Sequence, residues 1–469
     1  MRSTRVPLVL TLALVTVGLP ALAVSTNFSA FTPLTGSAPA IPVDAAAETE
    51  PITLSNPMFS QRSIADRRTQ NTLVPNSNSG NWDMIASNEN GPERGRYLFM
   101  PFETGSAGVQ RVDLNNPDYN SRTVTIVAPG TQGFVSGDAS RRTPWGSYLT
   151  AEESWGTGSV KGRLFEVTNP LTAGASGAEF VHRLIIPRVS HEGLGFDSDN
   201  VMYFVDELNG GSIYKYVSAD PDAKSGDDYF AAGQTFVLKV GAGGQFEGNN
   251  GPAITGAASW VAITNATGGP IVGVSTVLPD GTIDGRATAD HTSVNGTGYN
   301  RPEDLEIQTL ADGTELLYFA TTDSDNNADT SDGRSRVYTL NLSTNEVTLF
   351  AASTFTDLAT GLPVSGEFRN ADNIAIDAEG NIYIIEDRNG GNDDDIWFAR
   401  DLNNDGDILD AGEGLARWAS NGTQGSEFTG LYFDIRNPNR AYVNIQHPNS
   451  GVDRLIEISG APEYQYNGR

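Results

Sequence analysis

Carboxylates are the side chains of this sequence with the most chemistry to offer. Asp and Glu number 58 against 30 Lys and Arg, a formal net charge of −28 over 469 residues. A carboxylate must face water, pair with a cation or bind a hard metal such as calcium. Residues 401–413 read DLNNDGDILDAGE. Asp401, Asn403, Asp405, Gly406 and Asp407 fall at positions 1, 3, 5, 6 and 7 of an EF-hand-like calcium loop, where glycine permits a sharp turn and alternating oxygens converge. Position 12 is Gly412, with Glu413 one step beyond. The segment is therefore expected to be an atypical, structural calcium loop, with a solvated Asx turn as the alternative. The run DRNGGNDDD (387–395) opens on Asp387 and is expected to add to a metal-binding rim or hold another calcium ion.

Other chemistries are excluded. There is no cysteine, so disulfides, thiol catalysis, iron–sulfur clusters and cysteine-bearing zinc sites are ruled out. No Gly-x-Ser-x-Gly elbow, Walker loop or HExxH motif is present. The acidic balance argues against nucleic acid, whose binding rests on a basic surface.

The elements that must position the carboxylates are strands. Helical periodicity is scarce, and short apolar runs alternate with Asn, Asp and Gly clusters. One unit recurs: a tyrosine opens an apolar strand, a polar or acidic residue closes it, and a turn leads to a partner strand. The copies begin at Tyr97, Tyr148, Tyr203, Tyr318, Tyr383 and Tyr442, spaced 51, 55, 115, 65 and 59 residues apart. Four of these intervals suit one four-stranded propeller blade each. The expected fold is an all-β, six-bladed β-propeller, seven blades being the lesser alternative, with a long insertion around 218–300. Strands are expected inside that insertion at 236–240 and 270–278. Glu152, Asp206, Asp323 and Glu386 end equivalent strands, which would set carboxylates around one mouth or simply place turn residues there.

Four segments are over-specified for plain β turns: TPWGSYLTAEES (143–154), HEGLGFD (191–197), RPEDLEI (301–307) and ADNIAID (371–377), the last followed by GNIYIIEDRNGG (380–391). With NIQHP (444–448) they resemble the PhoX-type alkaline phosphatases, in the same order, from about Asn81 to Ile458. The resemblance implies a propeller with a polynuclear metal site at one mouth, hydrolysing phosphomonoesters with calcium and ferric iron. It implies that Glu192 bridges metals, that Glu303 and Asp372 are ligands, and that Arg301 clamps phosphate. It places Glu152 or Glu153, and Asp206, in or just behind the calcium coordination. In one respect the chain departs from the family: Ala151 stands where the family carries an iron-ligating cysteine. Carboxylates alone could hold iron, calcium alone could fill the site, or the redox metal could be lost.

The residues agree with a metal–phosphate site. Phosphate esters are anions, and bare carboxylates would repel them; a cluster of cations inverts the local field. Arg301 of RPED would then fork onto the phosphoryl oxygens, unless Arg301 and Glu303 form only a surface ion pair. Lys215 in IYKYV is a candidate phosphate contact or an outward strand residue. His191, His447 and Trp145 read as structural.

The expected function is that of a metal-dependent phosphomonoesterase acting on small phosphate esters. Glu192, Arg301 and Glu303 would be its catalytic set. The alternatives are a calcium-stabilised, non-catalytic binding propeller, or another calcium-dependent propeller hydrolase such as a lactonase or diesterase. Arg2, Arg5, the apolar run Pro7 to Leu19 and Ala21-Leu22-Ala23 read as an export signal at 1–23. Residues 24–50 are expected to be a flexible leader, and 51–469 a single propeller domain, secreted or periplasmic, monomeric and without a membrane anchor.

Overall fold

The computed structural model describes residues 28–73, 80–153, 156, 158–248, 251–322, 335–388 and 393–460. The expected export signal and Asp323 lie outside the described residues. Among the described residues no helix is long and apolar enough to cross a membrane.

The chain is all-β, in small antiparallel sheets joined by Gly-, Asn- and Asp-rich turns. Each repeated tyrosine lies on the second strand counted from the centre of a sheet. Tyr97–Pro101, Tyr148–Glu152, Met202–Val205, Glu315–Thr321, Ile382–Glu386 and Arg440–Gln446 are those strands. The partner runs form the third strands, so the repeat marks a real structural unit. The innermost strands, Ala86–Ser87, Gly137–Arg142, Leu194–Phe196, Pro302–Thr309, Ala371–Ile376 and Glu427–Phe433, succeed one another around a common centre. The arrangement is propeller-like. Apolar and aromatic side chains fill the gaps between neighbouring sheets; Phe99 of one sheet stacks on Tyr148 of the next at 5.0 Å. Ser60–Asp66 pairs with Arg454–Ser459, so the N-terminal strand completes the sheet built by the C-terminal ones. That pairing covers an edge and ties together segments far apart in sequence.

The 218–300 region only partly decorates the fold. Gly233–Val240 is the fourth strand of the sheet that begins at Leu194–Phe196, and it contains the expected strand at 236–240. Gly256–Ala262 continues that sheet and meets Glu346–Ala352 through Gly256↔Val347 and Ala257↔Glu346, which stitches two units into one nine-stranded sheet. The strand expected at 270–278 does not form. Pro270 makes an isolated bridge to Thr264, Thr276–Val277 pairs with Ile283–Asp284, and Val272 between them is 98% exposed. Pro270 and the positive-φ Gly273 interrupt the run.

The leader is also corrected. Residues 28–50 dock on the body, because Phe28 supplies an aromatic plug. Its ring is completely buried, 5.5 Å from Phe59, 5.7 Å from Trp418 and 5.6 Å from Phe433. Ala38 N donates to Ser420 Oγ at 2.7 Å, and Ile41 bridges to Thr423. Polar, proline-rich composition signalled flexibility, but one buried aromatic outweighs it. Phe28→Ala should destabilise the protein by ~3–5 kcal/mol, read from urea unfolding; a change below about 1 kcal/mol would mean the segment is not part of the folded body.

Candidate metal centre

The innermost strands share a local design. Asp138, Glu303, Asp372 and Glu427 sit at the starts of four of them, and Asp83 and Glu192 just before the other two. All these carboxylates are buried. Three carry a register irregularity spanning the acid, between Gly137/Ser140, Pro302/Leu305 and Ala371/Ile374. Such bulges turn a side chain out of the regular alternation. Two residues before the acid, the chain often takes a left-handed turn: Asn81 (φ 45°), Ser136 (φ 40°), Arg301 (φ 42°), Asn370 (φ 44°) and Gly425 (φ 70°). Asn and Gly bear this conformation cheaply; arginine does not. Gly193 of HEG lets two inner strands touch, since a Cβ there would collide with the backbone of Asp304 and Leu305. Gly193 N donates to Glu303 O at 3.3 Å, which draws Glu192 beside Glu303.

The result is a convergence of acids at one mouth. Glu192, Glu207 and Glu303 each present an oxygen, all within 4.8 Å of one another. Burial, and then neighbouring carboxylates such as Asp372 and Glu303, push Glu192 well above the usual carboxylate range. Burial does the same to Asp372, reinforced by Glu303 and Asp387, and to Glu207, reinforced by Glu153. Glu303 is pushed up to about 8 by burial, against the opposing pull of Arg301. Asp83, Asp138 and Glu427 shift the same way for the same first cause. Arg301 reaches into this field. It donates to Glu207 Oε1, with Nε at 3.1 Å, and lies 3.4 Å from Glu303 Oε1.

The structure brings together Glu192, Arg301, Glu303 and Asp372, with Glu153 and Asp387 close enough to act on them. Other expectations fall differently. Glu152 is an internal acceptor, receiving Arg163 Nε at 2.8 Å and the amides of Arg163 and Val135 at 3.2 Å each. Asp206 accepts Ser190 N at 3.0 Å and lies 3.4 Å from Arg286. Glu386 accepts Trp397 Nε1 at 2.8 Å and two backbone amides. In each pair the following residue, Glu153, Glu207 or Asp387, faces the centre. Successive side chains of extended chain point to opposite sides, so the two acids of each pair face different surroundings. Glu207, Asp83, Asp138 and Glu427 are thus the missed acids. For Glu207 the signal was the adjacent pair in VDEL; for the others it was an acid just before the strand preceding each repeated tyrosine.

Lys215 is not in the centre. Its Nζ lies over the Trp260 ring at 4.6 Å, and burial lowers its pKa. His191 is fully buried against Phe204, with its pKa lowered to about 3 by burial and two nearby arginines. In the 401–413 loop, Asp401 accepts Asn404 N at 2.6 Å and Gly406 N at 2.8 Å, while Glu413 accepts Leu402 N and Asp410 N. Asp405 and Asp410 are exposed and Asp407 is half-buried, and the loop's shape is held by its own backbone donors.

The donor set fits hard cations. No N–H or hydroxyl reaches either oxygen of Glu303 with hydrogen-bond geometry, and Asp138 Oδ1, Asp387 Oδ1 and Glu427 Oε2 are equally orphaned. Buried carboxylate oxygens without protein donors need a proton, an ordered water or a metal ion. Glu192, Glu207 and Glu303 offer oxygen alone, the chemistry of calcium, magnesium or manganese. Ala151 is completely buried in an apolar cluster with Leu149, Leu164, Val189 and Leu194, and supplies no ligand.

A model of the alkaline phosphatase PhoX family matches residues 130–449. The chain belongs to the PhoX alkaline phosphatase family. It is by that membership a phosphoric monoester hydrolase. The fold is similar to that of Pseudomonas fluorescens PhoX, solved in complex with the transition-state analogue vanadate. The TM-score is 0.62 at 15% identity, covering 92% of this chain and 98% of that one. A gluconolactonase from Xanthomonas campestris aligns at TM-score 0.42 and 10% identity, over 91% of this chain and 99% of that one. A putative phosphatase from Bacteroides thetaiotaomicron aligns at 0.40 and 11%, over 81% and 71%. No curated protein matches by sequence. The match to the PhoX family spans all the central acids except Asp83.

Proposed function

We propose that this protein is an exported, metal-dependent phosphomonoesterase built on a six-bladed propeller, one blade for each repeated tyrosine. The nine-stranded sheet counts as two blades on this reading. The observation that carries the site assignment is the oxygen triad of Glu192, Glu207 and Glu303 with Arg301 at its edge. Asp372, Glu153 and Asp387 complete the set that would hold the ions, calcium foremost. Bound cations would polarise the phosphoryl oxygens and lower the pKa of a coordinated water.

The chain's own residues do the rest. The carboxylates, immobilised on inner strands, hold positive charge where a phosphate dianion must sit. Arg301 keeps its charge at every working pH and presents a planar fork to the phosphoryl oxygens. Glu207 and Glu303 hold that fork at the mouth before substrate arrives, which reduces the ordering cost on binding. Glu152, Asp206 and Glu386 brace the strand ends that carry the central acids.

The test is hydrolysis of p-nitrophenyl phosphate by the purified protein with calcium, after EDTA, and with iron restored, alongside metal analysis. Activity with calcium that EDTA abolishes is the expected result. Absence of turnover across metals and pH, with calcium still bound, would favour a binding propeller. Ala151 is the observation behind that second reading, because the family resemblance implies a thiolate ligand at this position and alanine supplies none.

A further inference from the structure

We infer that Glu247, in the 218–300 insertion, is a positioning residue for Arg301. This rests on the reading of Arg301 as the phosphate clamp. Asn81, Ser136, Asn370 and Gly425 occupy the matching left-handed turns before their inner-strand acids, and each has a small side chain. Arg301 holds the same conformation with a long charged side chain that must also aim at the centre. Such a backbone state is costly and persists only where its surroundings enforce it.

Glu247 supplies that enforcement. It is 2% exposed and accepts from Arg336, from Tyr338 Oη at 2.5 Å, and through Oε2 from Asn300 N at 3.1 Å. Arg336 also donates to Gly251 O at 2.8 Å, and Asn300 Nδ2 to Gly248 O at 2.8 Å. The peptide leading into Arg301 is thus pinned to the insertion, and the insertion is itself tied through Glu247 and Gly251 to the strand Arg336–Asn341. On the far side of the turn, Thr322 N donates to Arg301 O at 3.1 Å. With both flanks fixed, the guanidinium is delivered to Glu207 and Glu303 without a search. The insertion, unmatched in the other repeats, therefore serves the site although Glu247 pairs with neither central acid.

The test uses Glu247→Gln and the milder Tyr338→Phe in the full-length protein. Hydrogen–deuterium exchange should speed up in the peptide spanning residues 299–303 in both variants, whatever the activity. For p-nitrophenyl phosphate, kcat/KM should fall roughly tenfold in Glu247→Gln and less in Tyr338→Phe, because small displacements of a positioning group are expensive. Inhibition by inorganic phosphate should weaken in parallel, with metal content unchanged. In an Arg301→Ala background, Glu247→Gln should add no further loss. An equal loss in that background, or unaltered exchange with parental kinetics, overturns the inference. If Glu247→Gln fails to fold, Tyr338→Phe decides by the same exchange and kinetic readouts. Should Arg301→Ala itself leave activity intact, the clamp reading fails first and Glu247 falls with it. A collapse in Arg301→Ala with parental Glu247→Gln defeats Glu247 alone.

Discussion

Arg301→Ala is expected to lower kcat/KM for p-nitrophenyl phosphate by ~10²–10³, the range for removing one preorganised donor from developing transition-state charge. The loss should fall mainly on kcat if the fork grips the transition state harder than the ground state, and on KM if it binds both equally. The structure sets the background for this experiment. Arg301 is the guanidinium that reaches Glu207 and Glu303, in a mouth otherwise dominated by carboxylates. Its removal leaves Glu207 and Glu303 buried without that counter-charge, so metal content must be measured in the same preparation. Arg301→Lys keeps the charge and loses the planar fork, and its activity should lie between parent and alanine. Parental kinetics in Arg301→Ala, with metals in place, would reduce RPED to a structural ion pair.

The sequence carried the fold further than it carried the site. The repeated tyrosines and their partner runs located the second and third strands counted outward from each inner strand. Inner strands were legible where a tight turn leads on to the tyrosine strand, as in LGFDSDNVMYF, LEIQTLADGTELLYF and IAIDAEGNIYI, whereas Ala86–Ser87 is too short to stand out. Four central residues were legible from motifs, namely Glu192, Arg301, Glu303 and Asp372. Glu153 and Asp387 were named as well, but Glu207 was not, because adjacent acids such as Asp206 and Glu207 look alike in sequence and differ only in which way the strand end faces. Asp206 meets Ser190 N and Arg286, whereas Glu207 meets Arg301 and the centre. Asp138 and Glu427 were hidden for another reason: acids at turns are common, and only the folded chain sets Asp138 beside Asp83 and Asp372, and Glu427 beside Asp387. The leader failed similarly, as no local pattern says that Phe28 will find Trp418 some 390 positions away.

Calcium should stabilise this protein strongly at pH 8 and weakly at pH 5, and the physical basis is the proton uptake of its buried acids. Glu303 titrates near pH 4.5 when exposed and at about 8 in the folded, metal-free protein. A group that binds its proton more tightly when folded gives a negative slope of stability against pH. Below about 4.5 both states are protonated and the burial of charge costs nothing; as pH rises toward 8 the unfolded chain ionises freely while the folded one resists. The EDTA-treated protein should therefore melt at progressively lower temperature across that window. Cations bind the ionised carboxylates and remove the penalty, adding about 2.7 kcal/mol per site at a hundredfold excess over Kd. Buried acids outside the centre complicate the absolute curve. Asp304 and Glu386 are also raised to about 8, chiefly by burial, yet both accept backbone N–H donors. The difference between curves with and without calcium removes their contribution. Two variants then separate the centre from the surface loop. Glu303→Gln should erase much of the pH-dependent calcium shift, whereas Asp401→Asn should leave most of it in place. A calcium shift of equal size at pH 5 and pH 8, or one lost in Asp401→Asn alone, would move the bound ion from the central acids to the 401–413 loop.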